Sequence, residues 1–104
     1  MRREVVLMRQ AESDIDAILA WLMKHSLTGA KRWFSALEEA IEWLAEHAES
    51  ASRAPENEFF DETIQQRIFK TKRGRPYRLL FVLSRTQVRV LHVRGPGQDL
   101  VRPA

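Results

Sequence analysis

Tyr77-Arg78-Leu79-Leu80-Phe81-Val82-Leu83, Ser84-Arg85-Thr86 and Gln87-Val88-Arg89-Val90-Leu91-His92-Val93-Arg94 form the stretch that decides the fold. Both outer runs carry apolar residues at every second position, the period of a half-buried strand. The short polar break between them suits a turn joining antiparallel neighbours. In the first run Tyr77, Leu79, Phe81 and Leu83 fall on one face, and Leu80 and Val82 on the other. In the second, strict alternation puts Val88, Val90 and His92 on one face, and Leu91 and Val93 on the other. Upstream, Ile64–Thr71 is another strand candidate. Lys72-Arg73-Gly74-Arg75-Pro76 is the turn after it, with Gly74 free to take positive φ. Gly95-Pro96-Gly97 ends the last strand. The three strands make an antiparallel meander. Both faces of that meander are partly apolar, so each needs a cover, and one cover could be a partner protein.

Working outward, the N-terminal half changes period. Arg3–Met8 reads as a short strand, β-branched at its middle. Ala11, Ile15, Ile18, Leu19 and Leu22 then recur at helical steps. Glu12, Asp14 and Asp16 lie in the first turns and Lys24 and His25 at the end, as the helix dipole favours. Ser26-Leu27-Thr28-Gly29 interrupts, with Ser26 or Thr28 as the next N-cap. A longer helix follows from about Ala30 to His47, its apolar stripe being Ala30, Trp33, Phe34, Leu37, Ile41 and Leu44. The brief interruption implies a helical hairpin. Trp21, Trp33 and Trp43 read as core or hairpin packing, because their acidic surroundings would repel nucleic acid. Glu49–Glu62 has no period and reads as a loop, pinned by Phe59 and Phe60. The expected architecture is a single α+β domain over residues 1–104: an N-terminal strand, an antiparallel helical hairpin, and a three-stranded meander joining one small, four-stranded sheet.

Composition narrows the function. The chain has 104 residues, 44% apolar and 30% charged, as expected of one globular domain. It has no cysteine, which excludes disulfides, thiolate catalysis and thiolate metal sites. Histidines 25, 47 and 92 lack metal-ligand spacing, so no metal and no cofactor is expected. No apolar run suits a signal peptide or a membrane span, and a cytoplasmic location without membrane association is expected. Charge is uneven. Residues 1–52 carry six Lys/Arg against nine Asp/Glu, a net −3, and residues 53–104 eleven against five, a net +6. Ile64–Arg94 holds nine basic residues and no acidic one. Such a surface meets a polyanion or an acidic partner, unless it is a solvated face.

Ala11-Glu12-Ser13-Asp14-Ile15-Asp16-Ala17-Ile18 resembles the Ala-x-x-Asp-Leu-x-x-Ile opening of the first helix in the RelE/ParE superfamily of bacterial toxins. Ala30-Lys31-Arg32-Trp33-Phe34 with Leu37 and Ile41 is similar to its second helix. Arg67, Pro76-Tyr77-Arg78-Leu79-Leu80-Phe81-Val82 and Val90-Leu91-His92-Val93-Arg94 resemble its strands, the last of which commonly ends His-x-Arg. The resemblance implies the toxin of a type II toxin–antitoxin system, of plasmid-stabilisation type, arresting growth when released. It implies as partner a cognate antitoxin with an acidic, partly disordered segment. ParE-like members inhibit DNA gyrase by protein binding, whereas RelE-like members cut mRNA on the ribosome.

RNA cleavage would need an acid–base group and cations at the phosphorane. His92, Arg73 and Arg94 are the catalytic candidates for a metal-independent endoribonuclease. Arg67, Lys70, Lys72, Arg75, Arg78 and Arg89 are candidates for binding phosphate or an acidic partner. Tyr77 reads as packing. RelE-like nucleases place an arginine and an aromatic or acid–base residue after the last strand, where this chain has Pro96, Gly97, Gln98 and Asp99. That departure favours the ParE-like branch, in which the basic strands and Asp99–Pro103 contact the target. A small non-toxic nucleic-acid-binding domain is the third reading.

Overall fold

The computed structural model describes residues 2–103. Strand β1 (Glu4–Leu7) leads into helix α1 (Arg9–His25) and helix α2 (Leu27–His47), and the remaining strands follow. These are β2 (Ser52–Arg53), β3 (Gln65–Phe69), β4 (Tyr77–Leu83) and β5 (Gln87–Arg94), in one sheet ordered β1-β5-β4-β3-β2. β1 pairs parallel with β5, and every other neighbouring pair is antiparallel. The sheet therefore has five strands, not four. The extra one, β2, is two residues long inside the expected loop, and two short 3-10 turns, Ala48–Ser50 and Pro55–Phe59, flank it.

A single residue joins the helices. Ser26 is extended, its N–H donates to the Leu22 carbonyl, and its Oγ accepts from the Gly29 N–H at 3.0 Å. It thus ends α1 and caps α2, which begins three residues earlier than the apolar stripe suggests. The main core lies between this hairpin and the sheet. Ala11, Ile15, Trp33, Leu37, Ala40 and Leu44 meet Phe69, Leu79, Phe81, Val88, Val90 and Val93. Each fully buried Leu, Val or Phe contributes roughly 1.5–3 kcal/mol. Ala40 and Ala45 complete the buried face of α2, while Phe34 stays 40% exposed. Trp33 packs against Phe69 and Tyr77, with its ring centroid 5.3 Å from that of Tyr77. Trp21 departs from the core reading: it is on the surface, stacked on His25.

The far face of the sheet is covered by the chain itself. Ala54, Ile64, Leu80 and Val82 form a second core with Phe60, Leu91 and Val101. The open face expected there is closed by the loop before β3 and the C-terminal segment. Phe59 lies under the Arg102 guanidinium instead of entering that core.

A bulge breaks the alternation of β5. Leu80 faces His92 and Phe81 faces Val90, which leaves Leu91 as the extra residue. Val93 consequently joins Val88 and Val90 in the main core, and His92 moves to the face of Leu80. The expected grouping of His92 with Val88 and Val90 fails for that reason. Gly74 has no positive φ either; among the described residues only Gly97 does, at 81°. A Cβ at Gly74 would meet Thr71 Oγ1, so a larger residue there requires that hydroxyl to move. Gly95-Pro96-Gly97-Gln98 closes with the Gln98 N–H on the Gly95 carbonyl, the pattern of a type II turn. Among the described residues no helix is long and apolar enough to cross a membrane.

Candidate functional site

The catalytic candidates separate into two groups, His92 with Arg94 and Arg73 apart. His92 and Arg94 alternate on β5, opposite Leu80 and Arg78 of β4. β1 runs out beside them: the Met8 N–H donates to the Val90 carbonyl, and the next N–H on that edge, that of Val93, is unpaired by sheet. Asp14 of α1 takes it, its Oδ2 accepting at 2.9 Å. The same oxygen lies 3.8 Å from His92 Nδ1. Burial pushes the His92 imidazole below its ordinary range and Arg94 adds to this, while Asp14 and Glu56 oppose it. Arg94 turns toward the C-terminal segment, donating to the Asp99 carbonyl at 2.6 Å.

Arg78, the second residue of an otherwise apolar strand, has a partner that sequence reasoning missed. Glu56, in the Pro55–Phe59 turn, is completely buried. It accepts from both Arg78 Nη atoms at 2.8 Å, a forked pair. Arg78 Nη1 also donates to Gln66, and the Val101 N–H donates to Glu56 Oε2 at 3.0 Å. Burial would raise the Glu56 carboxyl, but the bonds from Arg78 and Val101 outweigh it and hold it at about 2. One buried carboxylate thus ties together β4, the loop before β3 and the C-terminal segment. The signal for it is Arg78 itself, a charge between Tyr77 and Leu79 that needs a counterion.

Arg73 belongs elsewhere. With Lys72, Thr71 and Gly74 in the β3–β4 turn, and Gly29 and Arg32 of α2, it lines an open cleft of about 550 Å³. Neither His92 nor Arg94 lines that cleft. Arg32 is not among the expected residues, since nothing local in the sequence brings α2 beside the β3–β4 turn. Lys70 lies along a separate cleft with Trp43, Arg67, Ile68 and Phe69. There the Arg67 guanidinium sits 3.8 Å from the Trp43 ring centroid, a cation–π contact. Arg75 and Arg89 are exposed, in the β3–β4 turn and on β5. Tyr77 packs with Trp33 and Phe69, and burial raises its hydroxyl above the ordinary tyrosine range. No group of His, Asp or Glu among the described residues could hold a metal ion.

A third feature is apolar. Leu19 and Met23 of α1 with Leu27, Ala30 and Phe34 of α2 line a groove on the outside of the hairpin. Met23 and Leu27 are each 56% exposed.

A sheet of this order, packed on a helical hairpin, defines a small α+β domain. It matches a solved structure described as a chromosomal ParDE TA system from P. aeruginosa, with a TM-score of 0.58 and 18% identity, over 89% of this chain and 95% of that one. No curated protein matches the chain. The family model described as ParE toxin of type II toxin-antitoxin system, parDE, matches residues 5–100. The chain belongs to the ParE toxin family, whose members are paired with an antitoxin.

Proposed function

We propose that this protein arrests growth when freed from its antitoxin, and that it does so in the cytoplasm by binding DNA gyrase rather than by cutting RNA. The family match over residues 5–100 carries the reading. The geometry supports it: Arg94 is engaged by the C-terminal segment, and Arg73 lines a cleft that His92 does not. The antitoxin we propose carries an acidic, partly disordered segment. Its apolar side chains suit the groove of Leu19, Met23, Leu27 and Phe34, since folding on binding needs apolar anchors as well as charge.

One observation favours the RelE-like alternative. His92 has a carboxylate, Asp14, beside its imidazole, the arrangement that orients an acid–base histidine. Induced expression in a bacterial host distinguishes the two. Filamentation and DNA damage with intact mRNA are expected. Rapid codon-phased mRNA cuts, abolished by His92→Ala in a folded variant, would replace the gyrase reading with the nuclease one. Normal growth with well-expressed, folded protein would sink both and leave a plain binding module.

A further inference from the structure

The cationic cleft between α2 and the β3–β4 turn is left unused by the proposed function. Its lining is Gly29, Arg32, Thr71, Lys72, Arg73 and Gly74: three cations, one hydroxyl, two glycines and no carboxylate. Six of the thirteen arginines have a side-chain partner, unlike these cations. Arg2 pairs with Glu42 and Glu46, Arg3 with Glu49 and Arg78 with Glu56. Arg67 and Arg102 lie over Trp43 and Phe59, and Arg94 bonds the Asp99 carbonyl. Among the described residues, Arg32, Lys72 and Arg73 have no side-chain hydrogen bond, ion pair or aromatic contact, and all three are exposed. Like charges converging without a counterion repel, so the cleft presents a concentrated positive potential to solvent.

The lining also discriminates between anionic partners. An acidic protein segment needs apolar anchors to offset the cost of ordering itself, and no apolar side chain lines this cleft. A phosphate needs only forked guanidinium donors, an ammonium and a hydroxyl, which Arg32, Arg73, Lys72 and Thr71 supply. No aromatic ring lines it for base stacking, so recognition there would ignore sequence. The Gly29 N–H is already taken by Ser26, which leaves the side chains as the source of attraction.

We propose that this cleft binds the phosphodiester backbone of nucleic acid, without sequence preference, through Arg32, Lys72 and Arg73. Lys70 and Arg75, in the same basic run, extend the field along the turn. The inference does not depend on which target is poisoned.

The test is fluorescence anisotropy of the purified full chain with a labelled DNA duplex, titrated at several salt concentrations. Three neutralised phosphates give a log–log salt slope near −3, and about 40-fold weaker binding at 200 mM than at 50 mM salt. The triple variant Arg32→Gln, Lys72→Gln, Arg73→Gln should bind at least tenfold more weakly at 50 mM salt and flatten the slope, with its thermal unfolding unchanged. A charge-matched variant, Arg9→Gln, Lys24→Gln, Arg85→Gln, should bind as the parent does. Equal losses in the two variants would overturn the proposal in favour of diffuse net charge. No salt-dependent binding by the parent would also overturn it. Tripolyphosphate should displace the duplex weakly, as a phosphate site predicts. Displacement by polyglutamate as effective as by unlabelled duplex would assign the cleft to an acidic protein segment instead.

Discussion

Glu56→Gln is the substitution whose consequences can be worked furthest. The wild-type carboxyl titrates at about 2 in the folded protein against 4.5 when unfolded. That gap, at 1.36 kcal/mol per pKa unit, is about 3 kcal/mol of stability at neutral pH. The sign follows from the depressed folded value: the contribution is fully present above the unfolded pKa and is lost as pH falls through the folded one. It is roughly halved near pH 3 and mostly gone by about pH 2. Glutamine keeps the shape but removes the charge, leaving Arg78 facing a neutral amide with only 19% of its side chain exposed. At pH 7 the variant should be about 3 kcal/mol less stable, which lowers the midpoint of a domain this size by roughly 12 °C or more. Denaturant unfolding of both proteins at pH 7 and pH 3 reads this. The two curves should converge at low pH, and hydrogen exchange at the Val101 amide should quicken in the variant. Adding Arg78→Met should recover part of the loss, since removing the guanidinium leaves no stranded charge. Equal stability of Glu56→Gln and wild type at pH 7, or a constant difference down to pH 2, would refute the reasoning.

Other consequences follow from the same packing. Burial of His92 lowers its pKa, so the unfolded chain takes up its proton first and stability should fall as pH drops below 6.5; a ring titration by NMR with a midpoint at or above 6.5 would contradict this. Asp14→Ala strips the Val93 N–H of its acceptor and should cost about 1–3 kcal/mol in chemical denaturation, whereas a neutral result would mean that water replaces the carboxylate. Ser26→Ala removes the cap on Gly29 and should cost about 1 kcal/mol, read as a lower urea midpoint at unchanged m-value.

Legibility in the sequence follows the strength of local signals. The bounds of β4 and β5 are legible to the residue because each apolar run lies between polar turns. β2 is invisible: two residues, Ser52 and Arg53, have no period, and their pairing is decided by β3. The bulge is equally hidden, since Leu91-His92-Val93 contains no glycine to mark it, and strict alternation assigns the wrong face to two of the three. Glu56 sits among Pro55, Asn57 and Glu58, a polar run that reads as solvated loop. Only the strand that receives it, through Arg78, betrays that one of those carboxylates must be inside. The cationic cleft is hidden for a different reason. Lys72 and Arg73 are visible as a basic turn, but Arg32 comes from a helix well upstream, and only the packing of α2 on the sheet brings them together.

That packing also explains how one small domain can keep two partners apart. The first turns of α2 contribute Leu27, Ala30, Lys31 and Phe34 to the apolar groove, and Gly29 and Arg32 to the cationic cleft. At about 100° per residue, the groove residues cluster on one side of the helix, and Gly29 and Arg32 fall on a different side. The apolar side faces α1, because the single-residue link at Ser26 forces the helices to turn back on each other. The cationic side faces the β3–β4 turn, because β3 and β4 pack beneath the same helix. A protein partner that needs apolar anchors and a polyanion that needs only charge are therefore offered different sides of the same two turns. The segregation comes from helical geometry, and it needs no second domain.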